Sequence, residues 1–509
     1  REGLDAVREF SAKFDHWSPA SFKVGEDEIR AVKRRLPAGM VEDIDYCQAQ
    51  VRNFAEAQMR RIASFEVETL PGVFLGQRAI PVASAGAYEA TWDSIDSRPN
   101  PQWFEDAKFG IFIHWGVYSV PSWGPKPNYS EWYWHDMMNK DGETWKFHEK
   151  TYGANFKYQD FAPMFKAELF DPKQWADIFA RSGAKYIVLT SKHHEGFCLW
   201  PNPQRWNWNA MDIGPHRDLA GDLIGAVRER GLRMGFYYSL YEWYCPLFKE
   251  DVNKYVDQYM LPQMKDLVQR YKPDLVWPDG EWEHPSSTWR STEFLAWLFN
   301  ESDAPKDIAI NDRWGKECRN VHGGFATPEY GHLPKGRLTD SGLFEECQGM
   351  GKSFGYNRNE DVDCYRTSTE LLRLLIDNVS RGGNLLLDIG PTADGRIPDI
   401  MQQRLIDMGA WLQVNGEAIY GTDKWDGAPT MDDVRFTKKG DATYAICLKW
   451  PGRRLVLDAP KDASAVTMLG CDKPLAFESR DGKLTIDIPQ LAIDEIPCQH
   501  AWTLKIVPK

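Results

Sequence analysis

The residues best suited by type and spacing to do chemistry lie in Asp274-Leu275-Val276-Trp277-Pro278-Asp279-Gly280-Glu281-Trp282. A short apolar run ends in Pro-Asp-Gly-Glu-Trp, the pattern of a buried strand that delivers a carboxylate to the rim of a sheet. Strand alternation points Leu275, Trp277 and Asp279 to one side, so an indole lies beneath an acid. Aromatic rings stack on the apolar faces of sugars, and a carboxylate beside one suggests glycoside cleavage. The same Asp-Gly pair also suits a turn that caps the next helix. Cleaving a glycosidic bond takes two carboxyl groups, one acting as acid and the other as nucleophile or base. Asp279, Glu281, Glu329, Glu345 and Glu346 are candidates, with Glu131 and Glu195 in earlier loops. Residue type and spacing alone do not rank them.

The elements that must position these groups follow a repeating order from about Thr91. Residues 109–116 read as a strand ending in His114-Trp115-Gly116. Asp171-Pro172 opens a helix as N-cap and N1 proline, Trp175, Ile178 and Phe179 form its buried stripe, and Gly183 stops it. The strand over 185–191 runs into Lys192-His193-His194-Glu195-Gly196-Phe197. A helix from Asp218 carries Leu219, Leu223 and Val227 on one face and stops at Gly231, before a strand over 232–239 that includes Tyr237. A helix over 253–271 leads into the Asp279 strand, and one over 291–299 leads into 308–314. Thr367 and Glu370 form a capping box for a Leu-rich helix. A strand over 384–391 and a helix over 401–414 follow.

Strands alternating with helices predict an α/β fold, a (β/α)8-like barrel. A doubly wound open sheet fits less well, because no Gly-rich phosphate loop follows the first strand. In such barrels the active site lies at the C-terminal strand ends, where His114, His193, His194, Tyr237, Trp277, Asp279 and Arg313 fall. Beyond about Gly421 short alternating runs separated by turns predict an antiparallel β-sandwich. The first ninety residues differ again, with helical spacing in 4–14, 29–36 and 41–65 and a hairpin within 72–82. The expected organisation is therefore a helical N-terminal extension (1–90), a (β/α)8-like catalytic domain (91–420) and a β-sandwich domain (421–509).

Size and composition agree with several domains, since 509 residues and 58.5 kDa suggest about two to four. A net charge of −13 and a pI near 5.4 argue against nucleic acid as a partner. No apolar run is long enough to span a bilayer, so no membrane partner is expected. The 22 tryptophans and 20 tyrosines, clustered as in Glu131-Trp132-Tyr133-Trp134, invite a carbohydrate reading. Nine scattered cysteines show no CxxC pair, although Cys318, Cys347 and Cys364 offer a disulfide. No signal peptide is visible in a chain that begins at Arg1, and sequons at Asn128, Asn300 and Asn378 matter only in a secretory pathway.

Several motifs in order resemble one known family. Residues 103–116, Glu131-Trp132-Tyr133, Lys192-His193-His194 with Gly196-Phe197, Trp277-Pro278-Asp279-Gly280, Asn311-Asp312-Arg313-Trp314-Gly315, Ser353-Phe354-Gly355-Tyr356-Asn357 and 382–391 together look like the α-L-fucosidases of glycoside hydrolase family 29. The resemblance covers about residues 94–423. It implies a retaining exo-α-L-fucosidase that removes terminal α-L-fucose by double displacement, with no cofactor and no metal. Asp279 would be the nucleophile. His114, Glu131, Trp132, His193, His194, Tyr237 and Arg313 would hold fucose hydroxyls, while Trp277 and Phe354 would form the apolar wall.

In the family's bacterial members the acid/base is the Glu of a Thr-x-Glu-Tyr segment, which Thr327-Pro328-Glu329-Tyr330 matches, giving Glu329. Glu345 is the alternative, in Phe344-Glu345-Glu346 where relatives have Trp-Glu. The implied partner is a fucosylated oligosaccharide or glycoconjugate in a secreted, periplasmic or lysosomal setting, and homo-oligomerisation stays open. An inactive fucose-binding protein and a metal-dependent barrel hydrolase are the rival readings. The second is disfavoured because adjacent histidines on a strand face opposite sides and no H-x-H pair is present. The opening segment, through Glu66-Val67-Glu68-Thr69-Leu70-Pro71-Gly72-Val73 and Leu75-Gly76-Gln77-Arg78, resembles the start of the histidinol dehydrogenases. That similarity ends near Tyr88, before any nucleotide- or zinc-binding residue, and so implies no dehydrogenase activity.

Overall fold

A computed structural model of the chain describes residues 88–331, 343–429, 431–460 and 462–509, with short stretches (31–32, 35–36, 39–40, 46, 48–49, 65–70 and 73–77) before them. The chain forms two compact units, Arg1–Ala85 and Gly86–Lys509. In the first, β1 (Phe65–Leu70) and β2 (Val73–Gln77) pair antiparallel. The hairpin thus begins earlier than the sequence reading placed it. In the sequence of β1, Phe65, Val67 and Thr69 alternate with Glu66 and Glu68. The helix expected over 4–14, and most of those over 29–36 and 41–65, lie outside the described residues.

The second unit is built on seven parallel strands: β3 (Phe109–Ile113), β4 (Tyr186–Lys192), β5 (Arg233–Ser239), β6 (Leu275–Asp279), β7 (Ala309–Ile310), β8 (Glu345–Gly349) and β9 (Asn384–Ile389). Their order in the sheet is β7-β6-β5-β4-β3-β9-β8. Between the two edges runs an irregular segment. Gly324 N–H donates to the Asn311 carbonyl at 3.3 Å, while Ala326 and Glu329 bridge in parallel to Phe344 and Cys347. Gly323 and Gly324 permit this approach, because a Cβ on either would lie 2.3 or 2.2 Å from the carbonyl oxygens of Asn311 and Ile310. The barrel is therefore joined by a segment whose pairing is too sparse to count as a strand.

Burial on both faces gives the strands their near-continuous apolar character. Phe112, Tyr186, Val188, Tyr237, Leu275 and Trp277 point inward and pack together. Ile111, Ile113, Ile187, Leu189, Phe236 and Val276 point outward against the helices. The predicted caps are present. Asp171 accepts from the N–H groups of Lys173 and Gln174 at 2.9 and 3.1 Å, and Thr367 with Glu370 closes the capping box. The strand β8 was not foreseen. Glu345-Glu346-Cys347-Gln348 carries none of the β-branched residues that mark a strand, yet all are buried.

Two antiparallel sheets make the C-terminal part, β10-β11-β12-β17-β14 and β13-β16-β15, with β10 (Asp423–Lys424), β11 (Val434–Lys439), β12 (Ala442–Cys447), β13 (Arg454–Leu457), β14 (Ala465–Met468), β15 (Ala476–Arg480), β16 (Lys483–Asp487) and β17 (Trp502–Val507). Phe436, Ala445, Leu457, Leu484, Ile486 and Leu504 fill the space between them. Tyr444 and Ile446 of β12 face the other way and join the core of the barrel's helices. The eight described cysteines are all free thiols, so the disulfide suggested for Cys318, Cys347 and Cys364 is absent. Of the sequons, Asn378 is fully buried within a helix and Asn128 is exposed.

Candidate active site

Asp279 ends β6 at the C-terminal rim of the sheet, and Gly280 turns the chain immediately after it. That turn requires glycine, since φ is +74° and a Cβ would meet the Tyr241 Cβ at 2.8 Å. Each Asp279 oxygen has a fixed partner. Arg313 Nη1 donates to Oδ1 at 2.7 Å, and the Tyr237 hydroxyl donates to Oδ2 at 2.9 Å. His194 Nε2 lies 3.8 Å from Oδ2. Burial by itself would raise the pKa of Asp279, but the positive charges of Arg313 and Arg319 and the hydrogen bond from Arg313 outweigh it and hold the carboxyl well below its usual range. Asp279 is thus an ionised, oriented carboxylate.

The same guanidinium reaches a second carboxyl. Arg313 Nη2 lies 3.3 Å from Glu329 Oε2, and the Tyr129 hydroxyl donates to Glu329 Oε1 at 3.2 Å. Arg313 is itself locked in place. Its Nε donates to Thr327 Oγ1 at 2.9 Å, Thr327 donates to Asp312 at 2.6 Å, and its guanidinium carbon sits 4.4 Å from the Trp277 ring centre. The short segment that closes the barrel thereby carries both the support of the arginine, Thr327, and the second acid, Glu329.

Histidines and aromatics make the rest of the pocket. His114 Nδ1 pairs with Asp388 at 2.6 Å, and its ring stacks on Phe354 at 5.0 Å. His194 Nδ1 pairs with Ser239 Oγ at 2.6 Å. Burial, and then the neighbouring His193, hold His114 and His194 well below the usual histidine range, so both rings are neutral. Neutral imidazoles suit hydrogen bonds to hydroxyl groups. Glu131 accepts from Gly355 N–H at 2.8 Å and from Ser353 Oγ at 3.2 Å, and burial pushes its pKa up to about 7. Tyr237 stacks on Trp277 at 5.7 Å, extending the aromatic floor.

The pocket encloses about 150 Å³ and is lined by Asp279, Glu329, His114, Glu131, Trp132, His193, His194, Tyr237, Trp277, Arg313 and Phe354. Glu345 is not among the lining residues. It is fully buried in the barrel interior, where it accepts from Trp277 Nε1 at 2.8 Å and from the Tyr186 hydroxyl. His193 and His194 both line the pocket, with ring centres 4.2 Å apart. The expectation that they face opposite sides fails because they follow the end of β4, where strand alternation no longer applies. Among the described residues no group of three or more His, Cys, Asp or Glu side chains is placed to hold a metal ion.

Sequence reasoning did not pick out Phe112, Tyr129, Trp282, Arg319 and Cys347, which also line the pocket. Tyr129 and Trp282 lie beside Glu131 and Asp279 in the chain, and that adjacency was the available signal. Arg319 and Cys347 carried none.

Known proteins resemble the chain along most of its length. The family model described as Alpha-L-fucosidase matches residues 76–417, and the Alpha-L-fucosidase C-terminal domain matches 429–507. A model described as Histidinol dehydrogenase matches residues 1–91. The tissue alpha-L-fucosidase of Rattus norvegicus is 46% identical over 434 residues, which are 82% of this chain and 92% of that protein. The plasma alpha-L-fucosidase of Homo sapiens is 45% identical over 444 residues, 84% and 94% of the two chains. A crystal structure of Thermotoga maritima alpha-fucosidase in complex with fucose superposes with a TM-score of 0.72 at 38% identity, covering 82% of this chain and all of that one.

Proposed function

Because the chain belongs to the α-L-fucosidase family of glycoside hydrolases, we propose that it is a retaining exo-α-L-fucosidase in which Asp279 is the nucleophile and Glu329 the acid/base. The observation that carries this reading is Arg313, whose two terminal nitrogens hold one carboxyl each, Asp279 at 2.7 Å and Glu329 at 3.3 Å. A small pocket with aromatic walls suits one terminal sugar rather than the middle of a chain. Phe354 and Trp277 offer apolar surface to the ring and C5 methyl of fucose. His114, Glu131, Trp132, His193, His194 and Tyr237 offer donors and acceptors to its hydroxyls.

In the first step Asp279 attacks the anomeric carbon. The bond to the leaving oxygen breaks as Glu329 gives that oxygen its proton, leaving a covalent fucosyl-enzyme. In the second step Glu329, now a base, takes a proton from water, whose oxygen displaces Asp279 with overall retention. Two pieces of geometry favour Glu329 over Glu345 for this role. Glu329 faces the pocket, whereas Glu345 lies behind Trp277 with both oxygens already bonded.

The substrate is a fucosylated oligosaccharide or glycoconjugate, and relatives named for tissue and plasma suit a lysosomal or secreted setting. Among the described residues no helix is long and apolar enough to cross a membrane. The segment resembling histidinol dehydrogenase takes no part in the reaction.

The test is the Asp279→Ala variant. Turnover of an aryl α-L-fucoside should vanish, and added azide should restore cleavage with β-L-fucosyl azide as product. Full activity in that variant would sink the assignment. The first sugar released by the parent enzyme, followed by NMR, should be the α-anomer, and the β-anomer would contradict retention.

A further inference from the structure

Two pocket residues that make no hydrogen bond to Asp279 or Glu329, Trp282 and Arg319, are partly exposed and sit at the mouth. Trp282 is 40% exposed, and the Arg319 side chain is 25% exposed. Glu329 shares that level, with its side chain 29% exposed, whereas Arg313 is only 3% exposed and Asp279 11%. The nucleophile is thus deep, and the acid/base lies where the pocket opens. A leaving oxygen protonated by Glu329 must carry the rest of the glycan outward, past the side chains around the mouth.

The chemistry of those side chains suits a sugar. Trp282 contacts His194 and Tyr241 at steep ring angles of 76° and 60°. Among the described residues no ring lies flat against it, and at 40% exposure the indole keeps free surface for the C–H face of a pyranose. Arg319 is held from behind. Its Nε donates at 3.1 Å to Oε1 of Glu281, a carboxylate only 2% exposed. The Gly280 turn brings Glu281 back towards the barrel, and Trp289 Nε1 pins the Glu281 carbonyl at 3.1 Å. The terminal nitrogens of Arg319 make no hydrogen bond among the described residues, which leaves a pre-oriented fork of donors for sugar oxygens.

We propose that Trp282 and Arg319 form the leaving-group subsite, which binds the pyranose next to fucose by stacking on the indole and by hydrogen bonds from the guanidinium to its hydroxyl or acetamido oxygens. Glu281 is the positioning residue that aims Arg319. This inference rests on the fucosidase reading and adds to it the part of the site that selects the glycan.

The experiment compares kcat/KM on a fucosylated trisaccharide with kcat/KM on α-L-fucosyl fluoride, whose leaving group carries no sugar. In Trp282→Ala and in Arg319→Met the ratio of the two values should fall about tenfold, the loss expected for one such contact. Glu281→Leu should lower the ratio as Arg319→Met does, and Glu281→Gln, which keeps an acceptor for Nε, should recover most of it. Equal losses on both substrates in variants whose circular dichroism matches the parent would overturn the subsite. Should Trp282→Ala fail to fold, Arg319→Met alone decides the question. A parent enzyme that cleaves neither substrate overturns the fucosidase reading itself, whereas one that cleaves both, with ratios unchanged in the variants, overturns only the subsite.

Discussion

At the residue scale, the site is organised by one arginine rather than by the acids. Arg313 is almost fully buried and touches Asp279, Glu329 and Thr327, and a side chain with three such partners has one available geometry. Asp279 could be found from sequence because it ends an apolar strand with a tryptophan two residues before it. Glu329 and Glu345 could not be separated that way, since each is a glutamate in a short polar stretch. Their surroundings separate them. Glu329 keeps one face to the pocket, with Tyr129 and Arg313 on its oxygens, whereas Glu345 is enclosed by Trp277 and Tyr186. Removing the proposed proton donor should hurt most where the leaving oxygen most needs a proton. Glu329→Ala is therefore expected to lower kcat/KM on fucosylated glycans by roughly 10²–10⁴ and on a dinitrophenyl fucoside far less, with azide accelerating the remaining turnover. Steady-state kinetics on the two substrates checks this, and a uniform loss would move the acid/base role elsewhere.

At the element scale, the predictable strands are those buried on both faces and rich in apolar residues, such as β4 and β6. The strand β8 escaped notice because the barrel interior there is polar. Glu345 and Cys347 point inward, and Glu345 is satisfied by an indole N–H and a phenol. The closing segment from Gly324 to Glu329 escaped too, because it pairs at single bridges and its glycines read as loop. Interior polarity has a measurable consequence. Burial pushes Glu345 up to about 7, opposed by its bonds from Tyr186 and Trp277. In the unfolded chain Glu345 ionises near its ordinary value of about 4.3. The folded state therefore keeps a proton that the unfolded state has already released. The corresponding stability is full below the unfolded pKa and is lost as pH rises through the folded one. Glu345→Gln cannot ionise, and its amide can still accept from Trp277 while donating to Tyr186. Relative to the parent, this variant should gain stability between about pH 4.5 and 7.5, by ~1 kcal/mol or more, and level off above that. Melting curves across pH measure the gap, and parallel curves for the two proteins would show that Glu345 ionises normally.

At the scale of the whole molecule, the order of strand, helix and rim motif made the barrel legible, because each motif sits where a buried strand meets solvent. The sandwich was legible as well, from alternation in β11, β12 and β17. What periodicity could not give was where the opening segment belongs, since amphipathic spacing says that a helix has a partner without saying which. The matches divide the chain in a suggestive way. The histidinol dehydrogenase model covers residues 1–91, whereas the fucosidase models run from 76 to 507. The two named relatives are 92% and 94% covered by an alignment that leaves about a fifth of this chain unmatched. Every residue that lines the pocket, and every described partner that holds one in place, lies within Gly86–Lys509. A site whose described lining and supports all lie in one compact unit is expected to do its chemistry without the other. Deleting residues 1–85 is therefore expected to leave kcat/KM on an aryl fucoside within about twofold of the full chain, a change below ~0.5 kcal/mol in transition-state binding. Kinetics at matched concentrations of folded protein, set by active-site titration, would check it. A loss of tenfold or more with unchanged circular dichroism would show that the opening segment takes part in shaping the pocket.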